Sequence, residues 1–176
     1  MQEPPLHWSV ETASVAHAPA VFSYEAGAAE LAALKRYAGV EEVTSFKAEV
    51  RIVPLAGARF RASGTLRANA VQLSVADLSA VPACIEEDFS VEYWPAESIG
   101  DEGGAALPFD RDAPEPIAGG RIDAGSFLCE LFVLSLDPYP RNEGDRFEWQ
   151  PALPEPEDSP FAELARLRPR KTPSEK

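Results

Sequence analysis

Histidine and cysteine are the side chains best suited to proton transfer, nucleophilic attack and metal binding near neutral pH, and this chain has two of each. His7 and His17 stand ten residues apart, and without a third histidine they complete neither a catalytic triad nor a facial metal set. Cys84 and Cys129 lack the paired spacing of a zinc site. A nucleophilic thiol needs a nearby base or a helix N-terminus to lower its pKa. Cys129 falls inside an apolar helical pattern and Cys84 at the start of a strand pattern, so both read as packing residues. The sequence has no phosphate-binding glycine loop, no dinucleotide turn, no nucleophile elbow and no zinc-protease helix. Carboxylates are abundant, but their spacing does not separate an acid/base pair from a solvated acidic face. These tests point to a binding protein with no assigned catalytic, metal or cofactor residue, and leave a carboxylate-dependent enzyme as a remote alternative.

The elements that must position any binding residues follow from periodicity. Residues 1–19 are rich in Glu, Pro, Ala and Ser with no sustained period and read as a flexible leader, ending in a strand near Ala20–Tyr24. From Glu25 the pattern is helical, with Ala28, Leu31, Leu34 and Tyr37 three apart and Gly39 placed to end the helix in a left-handed turn. Ala48, Val50 and Ile52, then Phe60, Ala62, Leu66, Ala68 and Ala70, alternate with polar neighbours and describe two long antiparallel strands with one buried face. A third strand runs from Phe89 to Tyr93 and stops at Trp94-Pro95. Residues 96–120 carry Gly103-Gly104 and many acids without a period and read as a mobile acidic insertion. Asp123 is placed to cap a helix from Gly125 to Leu136 with Phe127, Leu131 and Leu134 on its buried face, and Pro138 stops it. The expected fold is α+β, an antiparallel sheet or open barrel packed with these two main helices. It forms one domain over 20–150, followed at 151–176 by a proline-rich linker and a basic-apolar tail.

Charge narrows the partners. The formal net charge is −13, and 45% of the residues are hydrophobic, enough apolar content for a folded core despite the acidity. The acidity is regional: residues 1–81 are nearly neutral at −1, residues 82–160 carry −15 and residues 161–176 carry +3. A field of that sign repels nucleic-acid phosphates and attracts cationic proteins. Two isolated cysteines, no apolar run of membrane-spanning length and no signal-peptide pattern lead to an expectation of a soluble cytoplasmic protein.

Two segments resemble the YceD family, the large ribosomal RNA subunit accumulation proteins. Gly64-Thr65-Leu66-Arg67-Ala68-Asn69-Ala70-Val71-Gln72 is similar to the family's glycine, alternating strand and glutamine. The more specific match is Leu134-Ser135-Leu136-Asp137-Pro138-Tyr139-Pro140-Arg141 to the family's Leu-x-Leu-Asp-Pro-Tyr-Pro-Arg. The closing Ser159-Pro160-Phe161-Ala162-Glu163-Leu164 resembles its Asn-Pro-Phe-Ala-x-Leu. The likeness covers roughly residues 20–167. It departs after Gln72, where Leu73-Ser74-Val75 stands in place of the family's x-Cys-Val and the later Glu-Pro pair is missing. The resemblance implies a non-enzymatic part in large-subunit biogenesis, with a basic ribosomal protein or a pre-ribosomal particle as partner and direct RNA contact not indicated. An acidic holdase for a basic protein unrelated to the ribosome is the alternative. Candidate partner-binding residues are Gln72, Asp137, Tyr139 and Arg141, with Phe161, Leu164, Arg166 and Arg168 in the tail. Structurally, Asp137-Pro138-Tyr139-Pro140 ends a helix and fixes an extended exit, with Tyr139 packing and Arg141 pairing with a carboxylate. The tail is either a helix folded back on the domain or a peptide that engages ribosomal RNA or protein.

Overall fold

The structure, a computed structural model, describes residues 3–102 and 113–144, all within the first of the chain's two units, Met1–Asp145. Its elements run β1 (Ser9–Glu11), α1 (Thr12–Val15), β2 (Ala20–Glu25), α2 (Ala28–Ala38), β3 (Glu42–Pro54), β4 (Phe60–Leu73), β5 (Ala80–Pro95), α3 (Ala96–Glu102), β6 (Glu115–Ile117), β7 (Arg121–Asp123) and α4 (Ala124–Ser135). Strands β2 to β6 form one sheet in sequence order. Its pairs are antiparallel except β5 with β6, which is parallel. The sheet stays open and does not close into a barrel, and β1 and β7 make a separate two-stranded sheet. This is the expected α+β class, with α2 and α4 as the two main helices.

Alternation divides the large sheet into two chemistries. Phe46, Ala48, Val50 and Ile52 of β3 and Ala62, Leu66, Ala68 and Ala70 of β4 are buried, and α2 and α4 cover that face through Leu34, Leu128 and Phe132. Phe132 meets Phe46 edge to face at 5.5 Å. Each of the larger side chains here, the Phe, Leu, Ile and Val residues, contributes about 1.5–3 kcal/mol by leaving water. The opposite face is charged and paired across strands: Lys47 with Glu25 at 2.9 Å, Arg67 with Glu86 at 2.7 Å and Arg61 with Glu92 at 2.7 Å. Gly64 lies opposite Val50, where an added Cβ would overlap the Glu49 carbonyl; only glycine lets these two strands approach so closely.

Four expectations are corrected. The segment expected to be a flexible leader belongs to the core: Leu6, Val10 and Val15 are buried, β1 pairs with β7, and Trp8 stacks on Tyr24 at 4.8 Å while its Nε1 donates to Glu30 at 2.9 Å. Its short elements carry too few residues to show a period. The stretch 96–120 contains α3 and β6 in place of a loop throughout; residues 103–112 lie outside the described ones. β5 begins at Ala80, nine residues before the expected Phe89, because its early part pairs with β4 through Leu73↔Ala80. In α4 the buried face is Gly125, Leu128, Cys129 and Phe132, with Phe127 and Leu131 only half-buried and Leu134 82% exposed. Glu130, one turn from Ser126, lies on the exposed side, and Gly125, whose missing Cβ makes room for the Leu6 carbonyl, lies on the buried one.

Candidate functional site

The two segments that carry the family resemblance meet at one shoulder of the fold. Asp123 caps α4 by accepting from the Ser126 amide at 3.0 Å, and the helix gives out at Leu136, whose backbone is extended, one residue before Asp137, the residue that Pro138 keeps out of the helical region. The chain then runs past the end of β4. There the Gln72 side-chain amide donates to the Asp137 carbonyl at 2.9 Å, and the Val75 amide donates to the Pro140 carbonyl at 2.9 Å. Asn142 Nδ2 donates to Ser79 Oγ at 2.8 Å. Asp137 Oδ1 accepts from the Tyr139 amide at 2.8 Å, an Asx turn that fixes Pro138 and Tyr139 in place.

The β4–β5 loop is equally tied. The Ser74 amide donates to the Ser79 carbonyl at 2.8 Å, the Ser74 hydroxyl accepts from the Ala76 amide, and Asp77 accepts from both the amide and hydroxyl of Ser79. Those Ser79 bonds hold the Asp77 carboxyl below the usual range. Ser74 itself is buried. At the loop tip Leu78 has φ 63°, a left-handed conformation costly for a branched apolar residue, and its side chain is 73% exposed. The hydrogen-bonded loop holds Leu78 out in water together with Val75, while Leu134 and Tyr139 are 82% and 73% exposed on the adjoining segment. A rigidly mounted set of exposed apolar side chains marks a contact surface.

A notch of about 250 Å³ lies between the C-terminal end of α2 and the Asp137–Pro140 segment, with Leu73 and Val75 of the β4–β5 turn in its lining. Gly39 ends α2 with φ 67°, and Ala38 and Gly39 line the notch together with Glu41, Gln72 and Asp137. Gln72 is only 9% exposed, and its Oε1 is buried with no hydrogen-bond partner among the described residues. Glu41 is shared with Lys35 at 3.6 Å, a weak exposed pair.

Of the expected site residues, the structure joins Gln72 to Asp137 and sets Tyr139 and Arg141 beside them. Tyr139 does not pack as anticipated; it is exposed. Arg141 is exposed and no carboxylate pairs with it among the described residues. Phe161, Leu164, Arg166 and Arg168 lie outside the described residues. Leu78 and Glu41 were missed, although the hairpin length was the one available signal for Leu78. Cys129 is buried as expected, and burial pushes its thiol up to about 11, away from nucleophilic use. Cys84 is not a packing residue; it is exposed on the charged face of β5, opposite Asn69. No group of three or more metal-ligating side chains occurs among the described residues, and no helix there is long and apolar enough to cross a membrane. Comparison with protein-family models, with curated proteins and with solved structures finds no match to this chain.

Proposed function

We propose that this protein is a non-enzymatic factor in large ribosomal subunit biogenesis, supporting accumulation of large-subunit ribosomal RNA by binding a basic ribosomal protein or a precursor particle. The observation that carries the reading is the bond from Gln72 to the Asp137 carbonyl. It joins the two segments of the family resemblance, 65 residues apart, at a shoulder where Leu78, Leu134 and Tyr139 face water. Apolar anchors beside carboxylates are what a basic, partly apolar protein surface requires: the anchors supply contact area, and the charge steers the encounter and sets its salt dependence. The overall charge of −13 favours a protein over bare RNA as the first contact. On this reading the protein works in the cytoplasm.

The test is affinity purification of the full chain from its own cells with graded salt washes, beside a strain lacking it. The expected result is enrichment of large-subunit precursors or their proteins, lost at high salt and lost in the Leu134→Asp/Tyr139→Asp double variant, and a fall in large-subunit relative to small-subunit ribosomal RNA in the deletion strain. Recovery of a single basic client unrelated to the ribosome, with ribosomal RNA unchanged, would replace this reading with the holdase.

A further inference from the structure

Strand β5 is filled on one side and open on the other. Residues 80–93 pair with β4 in one continuous register, whereas β6 covers the far side only at residues 93–95. Asn142 Nδ2 reaches the Ala80 carbonyl at 3.3 Å. Among the described residues no strand lies beside residues 81–92, an edge about 40 Å long at the usual rise of a strand. Every second residue of an unpaired edge turns its N–H and C=O outward, a template for a further strand. Edges that must stay unpaired are made short, bulged, covered or charged, most often with lysine. β5 is long and unbulged, and from Ala80 to Pro95 it holds four acids and no Lys or Arg.

Three of those acids are consecutive. Glu86 and Asp88 lie on the outer face and are engaged from β4, by Arg67 at 2.7 Å and by the Thr65 hydroxyl at 2.6 Å. Glu87 pairs with Leu66 and so shares the helix-covered face with that buried residue, yet it is exposed and meets no cation among the described residues. On the same face Ile85 is buried, Phe89 and Val91 are half-buried, and Phe89 packs on Phe127 of α4 with ring centroids 5.3 Å apart. From this we infer that the open edge of β5 takes up an extended segment of a protein partner as a further strand, its outward residues basic and its inward residues apolar except for one cation beside Glu87. Backbone pairing supplies the affinity and alternate side chains the specificity, as in other strand additions. Charge chooses the occupant: a second copy of β5 would set acid beside acid, whereas Lys or Arg beside Glu86, Glu87 and Asp88 is attracted. The inward apolar residues continue the core over Ile85, Phe89 and Val91. This inference rests on the reading that the partner is basic, and adds which strand receives it and what pattern it carries.

The experiment titrates the full ¹⁵N-labelled chain with acetyl-Val-Arg-Val-Arg-Arg-Arg-Val-amide. In antiparallel register this peptide sets the central arginine of its run of three beside Glu87 and its valines beside Ile85, Phe89 and Val91. The control peptide carries N-methyl groups on its third and fourth residues, one for each of its edges, with charge and side chains unchanged. The first peptide is expected to shift the backbone amides of residues 81–92 and to slow their hydrogen exchange. The methylated peptide is expected to bind at least about tenfold more weakly, the equivalent of one or two lost backbone hydrogen bonds. Glu87→Gln is expected to weaken the first peptide about two- to fivefold, while Glu42→Gln, the same charge change on β3, leaves it unchanged; both positions are exposed, and an unchanged melting temperature checks that both variants fold. Equal binding of the two peptides, shifts confined to other parts of the chain, or edge amides already as slow in the free chain as those paired with β4 would overturn the strand addition. No ribosomal component enters this measurement. Peptide binding at the edge with ribosomal RNA unaffected by deletion therefore overturns the biogenesis reading alone, and capture of large-subunit precursors undiminished by Glu87→Gln and by an excess of the first peptide overturns the edge alone.

Discussion

Replacing Gln72 by methionine sets two opposed terms against each other, and their sum reveals the state of the buried oxygen. Methionine matches the length of glutamine and adapts to an irregular site. The variant loses the donation from Nε2 to the Asp137 carbonyl at 2.9 Å, worth about 0.5–1.5 kcal/mol for a neutral bond. Asp137 is exposed, so water takes over its carbonyl and no further penalty is due. The variant also removes Oε1, an acceptor buried without a partner among the described residues; relieving it returns about 1–3 kcal/mol. The net change lies between roughly neutral and about 2 kcal/mol more stable. Urea unfolding of the full chain at pH 7, with an unchanged slope to certify a two-state comparison, measures it. Destabilisation by about 1 kcal/mol or more would refute the reasoning, since it would mean that Oε1 is hydrogen-bonded in the unliganded protein.

Other consequences can be checked on the same material. Gly125→Ala should cost about 2–4 kcal/mol, because the new methyl overlaps the Leu6 carbonyl; the Trp8 emission should report the leader's displacement, and a silent substitution would remove the leader from the core. Iodoacetamide should modify exposed Cys84 in the folded protein and reach buried Cys129 only after denaturant is added, as counted by mass spectrometry. Glu115 has its carboxyl raised, first by burial and then by Glu130 and Asp123. Its protonated form is the one that the fold favours, so its stabilising contribution is complete below the ordinary carboxylate pKa and is lost as pH rises through the raised value. Glu115→Gln should therefore melt higher than the parent at pH 7, and the gap should close as pH falls below about 4.5; a gap independent of pH would refute the shift.

The elements legible in the sequence are those long enough to repeat a period or closed by a residue with a single conformational reason. The β3–β4 hairpin repeats its alternation at least four times in each strand, as at Phe46, Ala48, Val50 and Ile52, and α2 ends on Gly39, whose left-handed φ few other residues adopt readily. Leu6, Val10 and Val15 had no such signal: β1 is three residues long and α1 four, and their burial comes from partners more than a hundred residues away, as in Glu11↔Arg121. The buried phase of α4 was harder to read for a different reason: before its last residue, only Ser126 and Glu130, one turn apart, mark the side away from it, against apolar residues at most other positions.

The candidate site divides along the same line. Asp137 to Pro140 could be recognised as a helix stop followed by an extended exit, because proline restricts its own φ and the residue before it. That Tyr139 would be exposed, that Leu78 would be held out at a strained loop tip, and that Glu41 would stand beside Gln72 and Asp137 are facts of long-range geometry, carried by hydrogen bonds that link residues 63 and 65 apart. Residue types and local spacing determined the class of the fold, the ends of its main helices and the acidic character of the chain. Only the tertiary structure decided which acids and which apolar side chains share one surface, because that depends on how the strands bring distant ends of the chain together.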